Sequence, residues 1–393
     1  MQKKNVLALF ALLRSAVREE PLEDSDKERF FGEGSEKIEI PSLVALAKRH
    51  DVAPMLAVSL IENKLVGEDS RGASAEIAAA VYRFEQLKLE LECVSSIFEK
   101  EKIPHIPLKG AVLRNYYKKP YLRTSCDLDI LVRKEDFERA CDTLLSSGYS
   151  IKSRSAHDVT LIGDLKQNLE LHFDLVEEGR ANNSTEILSA VWDSVTQKRD
   201  SRYCYDMSDA FFYLYHVAHM AKHFEEGGCG VRPVIDLWIL DRIDSADALG
   251  REELLSRANL LVFANALRKL GRVWLDGEVA DELSLKIQDF ILRGGTYGAT
   301  ESRVALRKRT RGGKLGYMLS RAFVPYSKLK GYYPILEKHR WLTPFMQVRR
   351  WFMIFNPSVA KMAKSELNAN ANMDNNKANE LKQLLKNIGI NKK

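Results

Sequence analysis

The chain has 393 residues, 45% of them hydrophobic and 29% charged, with a net charge of +6. This composition excludes a chain that is disordered or collagen-like throughout, and the length predicts two to three domains with full apolar cores. Five scattered cysteines with no C-x-x-C pair argue against a disulfide framework or a zinc ribbon, so a reducing, cytoplasmic setting is expected.

Lys3 and Lys4 precede an apolar run over residues 6–13 that imitates a secretory leader only faintly. Arg14 interrupts it, and Glu19 and Glu20 follow without a small-residue cleavage site. The expected element is instead an amphipathic helix packing Val6, Leu9, Phe10, Leu13 and Ala16. Helical spacing recurs over 42–50, 52–63 and 77–101, so residues 1–103 read as an N-terminal helical region. Pro104 and Pro107 ahead of Lys109 and Gly110 predict a short buried strand, followed by a short helix over 111–117. Residues 127–132 alternate as a strand. Residues 135–147 form an amphipathic helix through Phe137, Ala140, Leu144 and Leu145, stopped by Gly148. Strands follow over 159–162 and 169–176. Residues 104–180 are therefore expected to be an α/β core of order β-α-β-α-β-β. Residues 181–296 return to helix, with a long element over 209–224, a break at Gly227, Gly228 and Gly230, and a second helix from Pro233. Residues 297–365 are basic and aromatic, and 366–393 are an Asn/Lys-rich tail expected to be mobile, with a short helix at 378–388. The fold class is α+β: a small mixed sheet flanked by N- and C-terminal helical regions. No apolar run reaches the ~18 residues of a membrane helix.

The sharpest chemical signal is Asp127-x-Asp129. Residues two apart on a strand point to the same face, so these carboxylates sit together and repel unless a cation lies between them. Hard ions such as Mg²⁺ take oxygen ligands of this kind and bridge phosphate oxygens. A solvated strand face is the plain alternative. The stretch 169–175 alternates too: Leu169, Leu171, Phe173 and Leu175 read as core-facing, and Glu170, His172 and Asp174 share the other face. A neighbouring strand would bring Glu170 to the Asp pair as a third carboxylate; an exposed edge strand is the competing reading. Lys109 and Gly110 stand where a strand ends and a helix begins, a place where backbone N–H groups bind phosphate. An ordinary turn explains them equally well.

In this order Lys109-Gly110, Arg123…Asp127-x-Asp129 and Glu170-x-His172 resemble the uncharacterised nucleotidyltransferases of the DNA polymerase β-like superfamily. They are most similar to a bacterial branch often found with polysaccharide and peptide biosynthesis genes. The stretch 47–54, with His50 and Pro54, resembles that branch's N-terminal helices. His216, His219, Lys222 and His223, with Gly228, Gly230, Arg232 and Asp236, resemble its C-terminal helices. Lys109-Gly110 stands where the superfamily usually has Gly-Ser. The resemblance implies two Mg²⁺ ions held by Asp127, Asp129 and Glu170, with an NTP as substrate. An NMP would pass to a hydroxyl or phosphate of a small-molecule, saccharide or peptide acceptor with release of pyrophosphate. Lys109, Gly110, Arg123, Ser125, His172 and Arg232 would serve nucleotide binding, and Glu170 could take the acceptor proton. A catalytically weak binding or regulatory homologue and an RNA-directed transferase are the competing functions.

His216, His219 and His223 share a helical face, which suits either zinc or a polar stripe lining a cleft. Arg232 and Asp236, at i and i+4, suit a simple helix ion pair. The net charge is uneven: residues 300–364 hold 15 Lys/Arg against two acids, +13, and the rest of the chain carries −7. A basic, aromatic stretch suits a nucleic acid or an anionic membrane surface. The preferred expectation is a helical cap docked on the body, with Trp341, Trp351 and Phe352 buried.

Overall fold

The computed structural model describes residues 3–32, 38–67, 70–155, 158–175, 182–244, 246–295, 335–352 and 375–390, with 323–326, 329 and 333 between them. Five helices open the chain: α1 (Lys3–Arg18), α2 (Asp24–Phe31), α3 (Ile40–Arg49), α4 (Ala53–Glu62) and α5 (Arg71–Lys100). All five apolar residues expected to anchor α1 are buried.

The core follows as β1 (His105–Pro107), α6 (Gly110–Leu113), β2 (Asp127–Val132), α7 (Phe137–Ser146), β3 (Ser150–Arg154), β4 (Asp158–Ile162) and β5 (Asn168–His172). The strands form one mixed sheet in the order β1-β2-β5-β4-β3. Only β2 and β5 are parallel, with Asp129 opposite Glu170. Leu128, Ile130, Leu169 and Leu171 are buried against Leu87, Val94 and Phe98 of α5 and Phe137, Ala140 and Leu144 of α7. Burying a side chain of this size contributes about 2 kcal/mol, so the alternation decides which face the polar partners must take. They point the other way, toward the C-terminal helices.

Those are α8 (Ser184–Ser189), then after the hairpin β6 (Val195–Gln197) and β7 (Tyr205–Met207), α9 (Asp209–Glu225), α10 (Arg232–Leu240), α11 (Ala248–Arg257), α12 (Leu261–Leu275) and α13 (Glu282–Gly294). Gly227 and Gly228, at φ 123° and 116°, make the turn from α9 to α10 in backbone space that other residues rarely enter. The N- and C-terminal helices share one continuous apolar core. Phe10 of α1 stacks on Trp274 of α12 with ring centroids 4.3 Å apart. Three further helices are α14 (Ile335–Lys338), α15 (Thr343–Phe352) and α16 (Asn375–Asn387). Among the described residues no helix is long and apolar enough to cross a membrane.

The structure differs from the sequence reading in several places. The edge strand β3 was not expected: its residues are all exposed, so it has no apolar alternation to read. The β6–β7 hairpin falls in a stretch read as helix; Tyr203 accepts a hydrogen bond from the His105 backbone beside β1 (2.8 Å), a tertiary contact that the local pattern does not carry. The tail is not wholly mobile, because Leu384, Leu385, Ile388 and Ile390 of α16 and its end are buried in the main core. The expected cap is overturned: Trp341 is 69%, Trp351 42% and Phe352 64% exposed. Among the described residues of that segment, Leu329 and Leu336 are buried instead. The strand expected over 169–176 stops at His172, and Phe173, Asp174 and Leu175 follow outside it; Val176 and the Arg307–Arg311 cluster lie outside the described residues.

Candidate active site

The open face of the β2–β5 pair carries Asp127, Asp129, Glu170 and His172, because each is an odd step from buried Leu128 and Ile130 or Leu169 and Leu171 of its strand. Asp129, Glu170 and His172 each offer a ligand atom within 4.8 Å of one another, a cluster able to hold one metal ion. Lys109 donates from Nζ to Asp129 Oδ1 at 2.5 Å, and His172 Nε2 lies 3.0 Å from the same oxygen and 3.6 Å from Glu170 Oε2. Asp127 stands on the same face, one alternation before Asp129.

The two aspartates of the pair behave oppositely. Burial, then the charges of Asp129 and Glu170, raise the Asp127 carboxyl to about 6. Burial would raise Asp129 as well, but the Lys109 ammonium and the His172 hydrogen bond override it and hold that carboxyl well below the usual range. Burial opposes charge on the His172 ring, yet its bonds to Asp129 and Glu170 push it up to about 9. The site therefore holds one carboxylate neutralised by built-in cations and a second that is short of one.

Lys109 precedes α6 with φ 42°, a strained position for a side-chain-bearing residue. Gly110 follows, and a Cβ there would meet Ser125 Oγ at 2.5 Å and Arg123 Nη1 at 3.0 Å. Only a glycine lets the turn lie this close to the 123–125 loop. From beneath, buried Arg114 donates to Gly110 O (2.7 Å) and Ser125 Oγ (3.0 Å), tying turn and loop together. Burial, together with Arg123, lowers its guanidinium to about 10. Arg123 is buried and makes a two-pronged pair with Asp236 of α10 (3.2 and 3.0 Å), which also accepts from Tyr117 Oη at 2.7 Å. Arg232 pairs with Asp51 in the α3–α4 turn and donates to Thr124 Oγ1 at 3.1 Å. Thus the guanidinium of Arg232 reaches across to the N-terminal helices, and Asp236 reaches to the core.

A cleft of about 230 Å³ opens between the carboxylate face and α9–α10. Its walls include Lys109, Gly110, Arg123, Ser125, Asp127, Asp129, Arg232 and, opposite, Tyr215, His216, His219 and His223. The histidine face of α9 thus looks into the cleft. His216 Nε2 is 3.0 Å from Pro233 O, and the His219 and His223 rings meet edge to face at 4.5 Å. Burial, then Lys109 and His223, hold His219 well below its usual range, so its ring is neutral. Among the described residues the three histidines form no metal-ligand group.

Residues 36–273 match a protein family described as uncharacterised nucleotidyltransferase. The chain belongs to that family. The match takes in the whole sheet, both walls of the cleft and the helices from α3 to most of α12. No curated protein and no solved structure matches the chain. For this nucleotidyltransferase family member, the sequence pattern brought Asp127, Asp129, Glu170, His172, Lys109 and Gly110 to one place. It missed Arg114, which no motif marks, and Tyr215, which lies on the α9 face that was read for its histidines alone. Asp51 had a signal: it sits inside the stretch 47–54 that resembles the family's N-terminal helices.

Proposed function

We propose that this chain is a Mg²⁺-dependent nucleotidyltransferase that moves an NMP from an NTP to a hydroxyl or phosphate of a small-molecule, saccharide or peptide acceptor, releasing pyrophosphate. The observation that carries the reading is the parallel pairing of β2 with β5, which sets Asp129 opposite Glu170 with Asp127 on the same face. Burial first, and then the neighbouring charges of Asp129 and Glu170, penalise the Asp127 carboxylate, and a bound divalent ion would relieve that penalty. The donor set fits such an ion: Asp127, Asp129 and Glu170 supply hard oxygens, and two ions sharing Asp127 and Asp129 are the arrangement proposed. Bound Mg²⁺ would supply neutralisation of the phosphate charge and orientation of its oxygens.

The chain's own groups do the remaining work. Lys109 Nζ, within reach of Asp129, contacts a phosphate oxygen, and the backbone at Gly110 lets the triphosphate approach closely. Ser125 and Arg123 line the same turn, and Arg232 stands at the cleft wall nearest the N-terminal helices. Glu170 Oε2 accepts the proton of the acceptor group, while His172 holds the orientation of Asp129 and Glu170. The α9 wall excludes water.

The test is a melting panel with each of the four NTPs, with and without Mg²⁺, followed by transfer of label from an NTP marked at its α-phosphate. A shift of several degrees with one Mg²⁺–NTP, and incorporation of label with release of pyrophosphate, is expected. Label lost from the γ-position instead, or a shift that Asp127→Asn leaves untouched, would sink the assignment.

A further inference from the structure

The segment after α13 carries an apolar stripe that the body leaves in solvent. Trp341, Phe345, Val348 and Phe352 recur at helical spacing through the turn before α15 and along it, and they are 69%, 63%, 43% and 64% exposed. No residue of α15 is buried. Contiguous exposed apolar surface of this kind marks an interaction site, since soluble proteins otherwise keep such patches small. The rings also touch one another. Trp341 meets Phe345 edge to face with centroids 6.3 Å apart, and Phe323 meets Trp351 at 5.5 Å. Within each pair the rings pack edge to face on one another, whereas single-stranded nucleic acid takes separate ring faces on which successive bases stack.

Cations border the stripe. Arg340 lies over the Tyr326 ring at 4.7 Å and Arg349 over the Tyr333 ring at 5.6 Å, which holds both guanidiniums beside it. At the helical turn of ~100° per residue, Arg340 and Arg349 fall on opposite sides of the stripe. The wider charge distribution points the same way. Residues 300–364 carry +13 and the rest of the chain −7, so the segment that holds the stripe is the part of the sequence an anionic surface attracts.

We propose that this element lies in the interface of an anionic phospholipid bilayer. Trp341, Phe345, Val348 and Phe352 enter the acyl boundary, and Arg340 and Arg349 reach up to headgroup phosphates. Both terms are needed. A stripe this short partitions weakly by itself, and each basic residue near an anionic surface adds roughly fivefold. The inference is independent of the catalytic reading: it concerns residues outside the cleft and holds whatever the cleft does.

The test uses the full-length protein and sedimentation with vesicles of phosphatidylcholine alone or with about a third phosphatidylglycerol. Binding to the anionic vesicles, at least ~tenfold tighter than to neutral ones and weakened by salt, is expected, with a blue shift of tryptophan emission. The exposed double variant Trp341→Ser/Phe345→Ser and the charge variant Arg340→Glu/Arg349→Glu should each lose at least ~tenfold of the binding while melting like the parent. Equal binding to both vesicles, or parent-like binding by both variants, would overturn the proposal. So would a homopolymer RNA that binds more tightly than the vesicles and is lost in the same variants. Light scattering that shows a dimer dispersed by Trp341→Ser/Phe345→Ser would assign the stripe to a second copy of the chain and overturn it as well.

Discussion

Asp127 and Asp129 are two residues apart on one strand, yet substituting them should have opposite effects on the metal-free protein. An Asp titrates near ~3.9 in an unfolded chain and Asp127 near 6 in the folded one. The folded state therefore binds that proton more tightly, so the carboxylate is almost no burden at pH 4, becomes a growing one as the pH rises from about 4 to about 6, and is fully destabilising above that. Asp127→Asn should raise the melting temperature in EDTA at pH 7.5, with the gain fading toward pH 4; a lower melting point at pH 7.5 would contradict that burden. Protons compete with metal for the same oxygen, so Mg²⁺ affinity in the parent should climb with pH up to about 6 and then level. Asp129 is depressed, so it stabilises above its unfolded value and loses this as the pH falls. Asp129→Asn leaves Lys109 and His172 without their shared oxygen and should cost about 3 kcal/mol, read from urea unfolding. The sequence placed the two carboxylates together correctly. It could not separate their roles, because Lys109 lies eighteen residues before Asp127 and donates its hydrogen bond to Asp129.

The turn from β1 into α6 is the element on which the proposed phosphate binding depends. Its geometry needs a strained Lys109 and a Gly110 with nothing on its α-carbon. Gly110→Ala should push the 123–125 loop outward, since the new methyl would sit 2.5 Å from Ser125 Oγ. The fold should survive with a loss of ~1–3 kcal/mol. The Mg²⁺–NTP melting shift should fall to nearly nothing, and Ser125→Gly in the same chain should restore part of it by clearing the contact. A full shift in Gly110→Ala would mean that the nucleotide lies elsewhere in the cleft. Strands β2 and β5 were legible because alternation of apolar and acidic residues is local. Strand β3 was not, because an edge strand with both faces in solvent has no pattern to show.

Across the whole molecule, the cleft is held shut at its base by pairs that join distant parts of the chain. Arg123 of the core and Asp236 of α10 are 113 residues apart and both buried. Burial raises Asp236, but Arg123 overrides it and keeps the carboxylate charged. Removing either partner strands the other, so Asp236→Asn and Arg123→Met should each cost about 3–5 kcal/mol in urea unfolding. The double variant should cost clearly less than their sum, by ~2 kcal/mol or more. Strict additivity would show that the pair does not couple the core to the helical wall.

Composition and periodicity alone determined the α+β class, the helix α1 with its buried face, the one-sided display of Asp127, Asp129, Glu170 and His172, and the histidine face of α9. These follow from side-chain spacing within single elements, where burial of one face forces the other outward. Only the tertiary structure decided which strand neighbours which, and with it the parallel step that sets Asp129 against Glu170. It also decided that Arg232 turns to Asp51 while Arg123 takes Asp236. The apolar stripe of Trp341, Phe345, Val348 and Phe352 shows the limit most directly. Helical spacing identifies a face that avoids water, but what covers that face depends on where the helix is carried: the end of α16 enters the body's core, whereas the stripe of α15 stays exposed.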